Sequence, residues 1–435
     1  MRGGQFQEGR GPRNPRAGSG KAPGFPPAAV NRRGSQAVSE SQPMGSDDGV
    51  VLPRGVAWVL AVCRRESERP GAAEHDGLDW DSALAYASRH RLTPAVHWHL
   101  RSLGFRGVPE AVRAELHKGF LQTVSTNMLY AELLVALLDR LEAQGVRVIS
   151  LKGPVAAYAH HGNLAARRFG DLDLLVPLGE AMEAIGTLQA LGFVPDVALD
   201  ARHLRVLLRT SRRELKLGHE TGWVVDLHWG SVGEHLAWCP ESALWERSVV
   251  VDFEGRAVRT LGPVDLALYY CLKVAEDGWS SAYQLLDAGR ALEALAEADW
   301  MRTLDLARAS GKWRIVGAAV ALVQRLLGVE VPPAVLAATG REDVQRLCRR
   351  ALPRLTSPDP PELSFPALVR WHLASLERWR DRACLVRMLT LQPGERDLAR
   401  LPDWLAFPPF LQAVRLARTV GNLGSALLWR PPRPS

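Results

Sequence analysis

At Gly145 the hydrophobic period of this chain changes from that of a helix to that of a strand, and this single change excludes an all-helical fold. Before it, Leu129, Leu133, Leu134, Leu137, Leu138 and Leu141 recur at three- and four-residue steps, which places them on one helical face, and Gly145 stands where a C-terminal cap belongs. After it, residues 146–151 form a β-branched run that predicts a strand, broken at Lys152-Gly153-Pro154, where Pro154 opens a short helix. Residues 171–176 predict a second strand stopped by Pro177. Leu178, Met182, Ile185 and Leu188 then put one apolar stripe on a helix, and Leu191-Gly192-Phe193-Val194 begins a third strand. Two further strands, 214–217 and 223–229, flank the turn signal Glu220-Thr221-Gly222 and predict an antiparallel hairpin.

Helical periodicity flanks this core on both sides. It is visible over 80–90 and 109–121, and again over 264–274, 282–296, 300–309 and 313–327. The fold class expected is therefore α+β: a small mixed sheet with flanking helices plus N- and C-terminal helical segments. The expected divisions of the 435 residues are a disordered tail at 1–50, a helical segment at 51–145, the mixed core at 146–261, a helical domain at 262–352, and a Pro-rich linker with a last helical segment at 353–435.

The formal charge of +7 raises the question of a nucleic-acid surface, but the excess lies in the ends. Residues 1–50 carry seven Lys/Arg against four Asp/Glu and residues 401–435 carry four Arg against one Asp, leaving +1 for the middle. A basic groove for long nucleic acid is not indicated. No uninterrupted apolar run approaches the roughly 18 residues of a spanning helix, so no membrane partner is expected. The five cysteines are odd in number, widely spaced and set in apolar runs. They predict buried thiols and a cytoplasmic location.

The chemistry centres on Asp171-Leu172-Asp173. On a strand the two carboxylates share a face while Leu172 and Leu174 point to the core, and their mutual repulsion is relieved by a divalent cation. On the hairpin, Val224, Asp226 and His228 share a face, which makes Asp226 a third acid on a neighbouring strand. Three such carboxylates suit two-metal phosphoryl transfer. Lys152-Gly153 ends the preceding strand, where a glycine admits close backbone approach to a phosphate and the following helix start offers free N–H groups. The sequence has six Lys against 48 Arg, so a lysine retained at that turn points to a phosphate contact. His228, beside Asp226, is a candidate for orienting substrate or moving a proton, and Lys273 on a following helix for closing over a nucleotide.

Taken in order, Leu151-Lys152-Gly153-Pro154, Arg167, Gly170-Asp171-Leu172-Asp173-Leu174-Leu175-Val176 and Asp226-Leu227-His228-Trp229 resemble the largely uncharacterised bacterial nucleotidyltransferase family of the polymerase-β-like superfamily. The similarity continues through Gly278-Trp279 and Asp287 to Glu395-Arg396-Asp397. The resemblance implies transfer of a nucleoside monophosphate from an NTP such as ATP to an acceptor. Mg²⁺ or Mn²⁺ would be held by Asp171, Asp173 and Asp226, with these acids catalytic and with Lys152, Gly153 and Arg167 on the nucleotide. The acceptor, whether small molecule, peptide, protein or RNA end, is not read from the sequence. The wider superfamily carries Gly-Ser or Gly-Gly where this chain has Lys152-Gly153, and that difference supports a second reading, a catalytically silent nucleotide-binding or scaffold module. A third is a glycosyltransferase whose Asp-x-Asp holds the metal of a nucleotide sugar. It is disfavoured because that fold needs a longer lead-in than one strand.

Overall fold

Seven strands form one mixed sheet in the order Val194–Pro195 (β3), Glu214–Gly218 (β4), Val224–His228 (β5), Leu172–Leu175 (β2), Ile149–Ser150 (β1), Arg256–Thr260 (β7) and Val249–Phe253 (β6), and helices cover it on both faces. The structure, a computed structural model, describes residues 52–161, 163–210, 213–392 and 394–398, with Gln412, Ala413, Leu416 and Ala417. The tail expected over 1–50, most of the segment beyond Leu398 and the side chain of Arg396 lie outside the described residues.

The chain opens with α1 (Arg54–Val62), α2 (Trp80–Arg89) and α3 (Thr93–Ser102), followed by the 34-residue α4 (Glu110–Ala143). The sequence suggested separate helices at 109–121 and along the leucine stripe, but residues 122–128 contain neither Gly nor Pro and the helix runs through them. Val112 and Leu116 at its start are buried in one core, whereas Tyr130, Leu134, Leu137, Leu138 and Leu141 are buried in another. By length and composition α4 is the one described helix apolar enough to cross a membrane. Leu129 of the expected stripe is exposed.

The sheet and its connections follow: β1 (Ile149–Ser150), α5 (Pro154–His161), β2 (Leu172–Leu175), α6 (Ala181–Ala190), β3 (Val194–Pro195), α7 (Ala201–Thr210), β4 (Glu214–Gly218), β5 (Val224–His228), α8 (Glu241–Arg247), β6 (Val249–Phe253) and β7 (Arg256–Thr260). As expected, β4 and β5 pair as an antiparallel hairpin. The β6–β7 hairpin is an addition to the sequence reading. It turns on Glu254 and Gly255, both at positive φ as a tight two-residue connection requires, and β7 then runs parallel to β1.

One face of the central strands is apolar. Leu172, Leu174, Leu215, Leu217, Val225 and Leu227 pack with the second half of α4, α6 and α7. The opposite face carries Asp173, Glu214, Lys216, Asp226 and His228, in the alternation that period two demands.

Above that polar face lie α9 (Pro263–Glu276) and α10 (Ala282–Glu293). They are followed by α11 (Glu297–Ser310), α12 (Trp313–Leu327), α13 (Pro333–Thr339), α14 (Glu342–Thr356), α15 (Phe365–Ser375), α16 (Trp379–Leu391) and α17 (Glu395–Leu398). Pro353, read from sequence as the start of a linker, sits in the last turn of α14. Helices α9–α16 share one core with α1–α3, whereas Leu398 of α17 packs in the core beneath the sheet. The Tyr86 hydroxyl donates to the Leu355 carbonyl at 2.7 Å, and His90 bridges the Ala282 N–H (3.0 Å) and the Ser357 carbonyl (2.8 Å). All five cysteines are free thiols; Cys63, Cys271 and Cys348 are buried, Cys239 and Cys384 partly so.

Candidate functional site

The parallel pairing of β2 with β5 places Asp173 directly beside Asp226 in register. Asp171 sits one residue before β2, at the same end of the pair. The loop delivering Asp171 is fastened to α4. Buried Asn127 donates its amide to the Leu164 carbonyl and, at 2.7 Å, to that of Arg167, while the Tyr130 hydroxyl donates to the Gly170 carbonyl. Neither residue was singled out in the sequence. The available signal was an asparagine in line with the apolar, buried face of α4.

Lys152 follows β1 and reaches across to Asp173, Nζ to Oδ1 at 3.0 Å, with the ammonium 5.7 Å from the centre of the Tyr269 ring on α9. Gly153 has φ +70, which L side chains rarely adopt, and this turn starts α5. His228 Nε2 lies 3.2 Å from the same Asp173 oxygen and its Nδ1 lies 3.2 Å from Glu214. Burial by itself would raise the Asp173 carboxyl, but Lys152 and His228 outweigh it and hold the group well below the usual carboxylate range. The Lys152 ammonium is correspondingly raised: burial pulls it down and Asp173 more than compensates.

The other two acids behave oppositely. Burial and then the Asp173 charge push Asp171 upward, with Lys152, Arg167 and Arg91 partly offsetting this. The same two causes carry Asp226 up to about 6. Asp226 Oδ1 is buried without a hydrogen-bond partner.

The remaining candidates are engaged elsewhere. Arg167, expected at the phosphates, is buried and paired with Asp287 of α10, Nε to its two oxygens at 3.0 and 2.9 Å. It ties the loop before Asp171 to the helices above the sheet. Lys273 lies on α9, 2.7 Å from Glu276, whose other oxygen accepts the Gly233 N–H at 2.9 Å and lies 3.6 Å from Arg213.

Over residues 76–328 the chain matches the family described as an uncharacterised nucleotidyltransferase. It belongs to that family. No curated protein and no solved structure matches this nucleotidyltransferase-family chain. Among the described residues no group of three His, Cys, Asp or Glu stands ready at metal-ligand spacing. The donor chemistry nonetheless fits a divalent cation. Two carboxylates destabilised by burial and by a third, one of them with an orphaned buried oxygen, are relieved by added positive charge. Both Asp173 contacts fall on Oδ1.

Proposed function

We propose that this protein transfers a nucleoside monophosphate from an NTP to an acceptor at the Asp171–Asp173–Asp226 cluster. The observation that carries the reading is the register of Asp173 with Asp226 on adjacent parallel strands, together with the unpartnered oxygen of Asp226. In the reaction an acceptor oxygen bonds to the α-phosphorus as the bond from that phosphorus to the bridging oxygen of the β-phosphate breaks. Pyrophosphate leaves, and the acceptor proton passes to a carboxylate, for which Asp226 is the candidate. Mg²⁺ or Mn²⁺ bound by Asp171, Asp226 and Asp173 would neutralise triphosphate charge and activate the attacking oxygen. Lys152 keeps Asp173 ionised and oriented. The Gly153 turn and the free N–H groups in the first turn of α5 suit a phosphate.

Calorimetry with Mg²⁺ and each NTP tests the site. The Asp171→Asn/Asp173→Asn protein should lose metal-dependent nucleotide binding, and unchanged affinity in that variant would remove these acids from the reading. Asp226→Asn should keep NTP affinity within about tenfold while pyrophosphate release falls at least about a hundredfold, as expected of a group acting in the transition state. A silent nucleotide-binding module would bind Mg²⁺-NTP in the wild type yet release no pyrophosphate with any acceptor.

A further inference from the structure

A cleft of about 560 Å³ opens beside Gly170, the residue before Asp171, and beside Thr221-Gly222-Trp223, which lead into β5. Its lining includes Arg89, Arg91 and Arg168 and no carboxylate. A second cavity of about 270 Å³ shares Ser88, Arg91, Thr126 and Arg168 with it and adds Lys118 and one acid, Glu115. Arg89 makes a long contact with exposed Asp359 at 3.8 Å. Among the described residues neither Arg91 nor Arg168 makes an ion pair or a side-chain hydrogen bond.

Both arginines are held in place by the backbone. Arg167 is extended, so successive side chains diverge; Arg167 turns inward to Asp287 and Arg168 is exposed to the cleft. Arg91 follows the end of α2 at φ 56, where its N–H donates to Ser88 and that of Leu92 to Ala87. That is the left-handed capping position at which glycine is the least strained residue. The guanidinium lies 5.2 Å from the centre of the Tyr283 ring of α10.

We infer that this cleft seats the acceptor, and that the acceptor is a small molecule bearing a phosphate or carboxylate bound by Arg91 and Arg168. Unpaired guanidinium forks recognise such planar or tetrahedral anions, and a concave site concentrates their field. The volume suits a small molecule. The lining holds Gly170, next to Asp171, and Trp223, next to β5, but none of the three acids and neither Lys152 nor Gly153, so the cleft adjoins the acid cluster without including the turn assigned to the NTP phosphates. This inference rests on the nucleotidyl-transfer reading above.

The test titrates inorganic phosphate and succinate into the full-length protein in EDTA, then ATP with Mg²⁺, all by calorimetry. The expected result is metal-independent binding of at least one of the two anions to the wild type, the tighter naming the acceptor's anionic group. Arg91→Gln/Arg168→Gln should weaken it at least about tenfold, and Arg168→Gln alone, which keeps the Arg91 charge that acts on Asp171, should weaken it while Mg²⁺-ATP affinity changes less than about threefold. Arg91→Lys should retain part of the anion affinity. Arg91→Gly should lose it yet melt at the same or a higher temperature, since the backbone strain is relieved, a combination that a purely structural arginine would not give. Absence of anion binding to the wild type, or unchanged binding in the double variant, overturns the site. Equal loss of Mg²⁺-ATP binding assigns the arginines to the triphosphate and overturns the acceptor role. If the wild type binds anions but no Mg²⁺-NTP, the nucleotidyl-transfer reading fails and the acceptor assignment falls with it.

Discussion

Asp173, Asp171 and Asp226 are the same chemical group in three electrostatic situations, and the differences come from one lysine and one histidine. Lys152 and His228 both meet Asp173, which therefore stays ionised, while at the other two acids nearby cations only partly offset burial and the Asp173 charge. Lys152→Met should leave the buried Asp173 charge with His228 alone beside it and cost about 3 kcal/mol in denaturant unfolding. A change within about 0.5 kcal/mol would mean that Asp173 is stabilised by other groups. Asp226→Asn is expected to act in the opposite direction. It removes a buried charge facing Asp173, so the metal-free protein should gain on the order of 1 kcal/mol at pH 7.5 by the same measurement. A loss of stability would instead give the Asp226 carboxylate a structural partner.

Among the elements, the loop that ends at Asp171, between α5 and β2, holds the site in place through residues that are not themselves catalytic candidates. Asn127 and Tyr130 of α4 fix it from one side and the Arg167–Asp287 pair fixes it from the other. Removing one partner of such a buried pair leaves the other charge unmatched, at about 3–5 kcal/mol, whereas removing both leaves no stranded charge. Arg167→Met and Asp287→Leu should therefore each destabilise strongly, and the double variant should lose clearly less than their sum. Strict additivity in chemical unfolding would show that the two side chains act independently. The same α10 carries Tyr283 beneath Arg91, so this helix contacts the loop before Asp171 and the arginine cleft together.

For the molecule as a whole, the large core joining α1–α3 to α9–α16 encloses histidines that must stay neutral. His97 stacks on Phe120 at 4.1 Å with both ring nitrogens unpartnered, and burial, with His117 adding, lowers it to about 4. Burial and then His372 bring His235 down to about 3. Glu276 is also depressed: burial alone would raise it, but Lys273 and Arg213 prevail. In each case the unfolded chain takes up protons first as pH falls, so these groups favour folding above their unfolded values and that contribution is lost on acidification. Melting temperature should fall from about pH 6.5, the ordinary histidine value, toward pH 4, with Glu276 adding to the loss below about pH 4.5. His97→Phe, which keeps the stack without the titrating ring, should flatten the upper part of that decline. An unchanged profile would assign the acid sensitivity elsewhere.

The α+β class, the β4–β5 hairpin, the shared face of Asp226 and His228 and family membership were legible in the sequence by itself, because periodicity of two or 3.6 residues and short ordered motifs are local properties. The β6–β7 hairpin had its signal in Glu254-Gly255 between alternating residues, and the continuity of α4 lay in the absence of a breaker over 122–128. Partner choice was decided only by the tertiary structure. Nothing near Arg167 in the chain distinguishes a phosphate ligand from a partner of Asp287, 120 residues away, and nothing near Lys152 shows that its ammonium meets Asp173. The same holds for the arginine cleft, which α2 and the residues around Gly170 and Trp223 form together. Charge, burial and spacing between segments far apart in sequence set these pairings, and they exist only once the helices have closed over the polar face of the sheet.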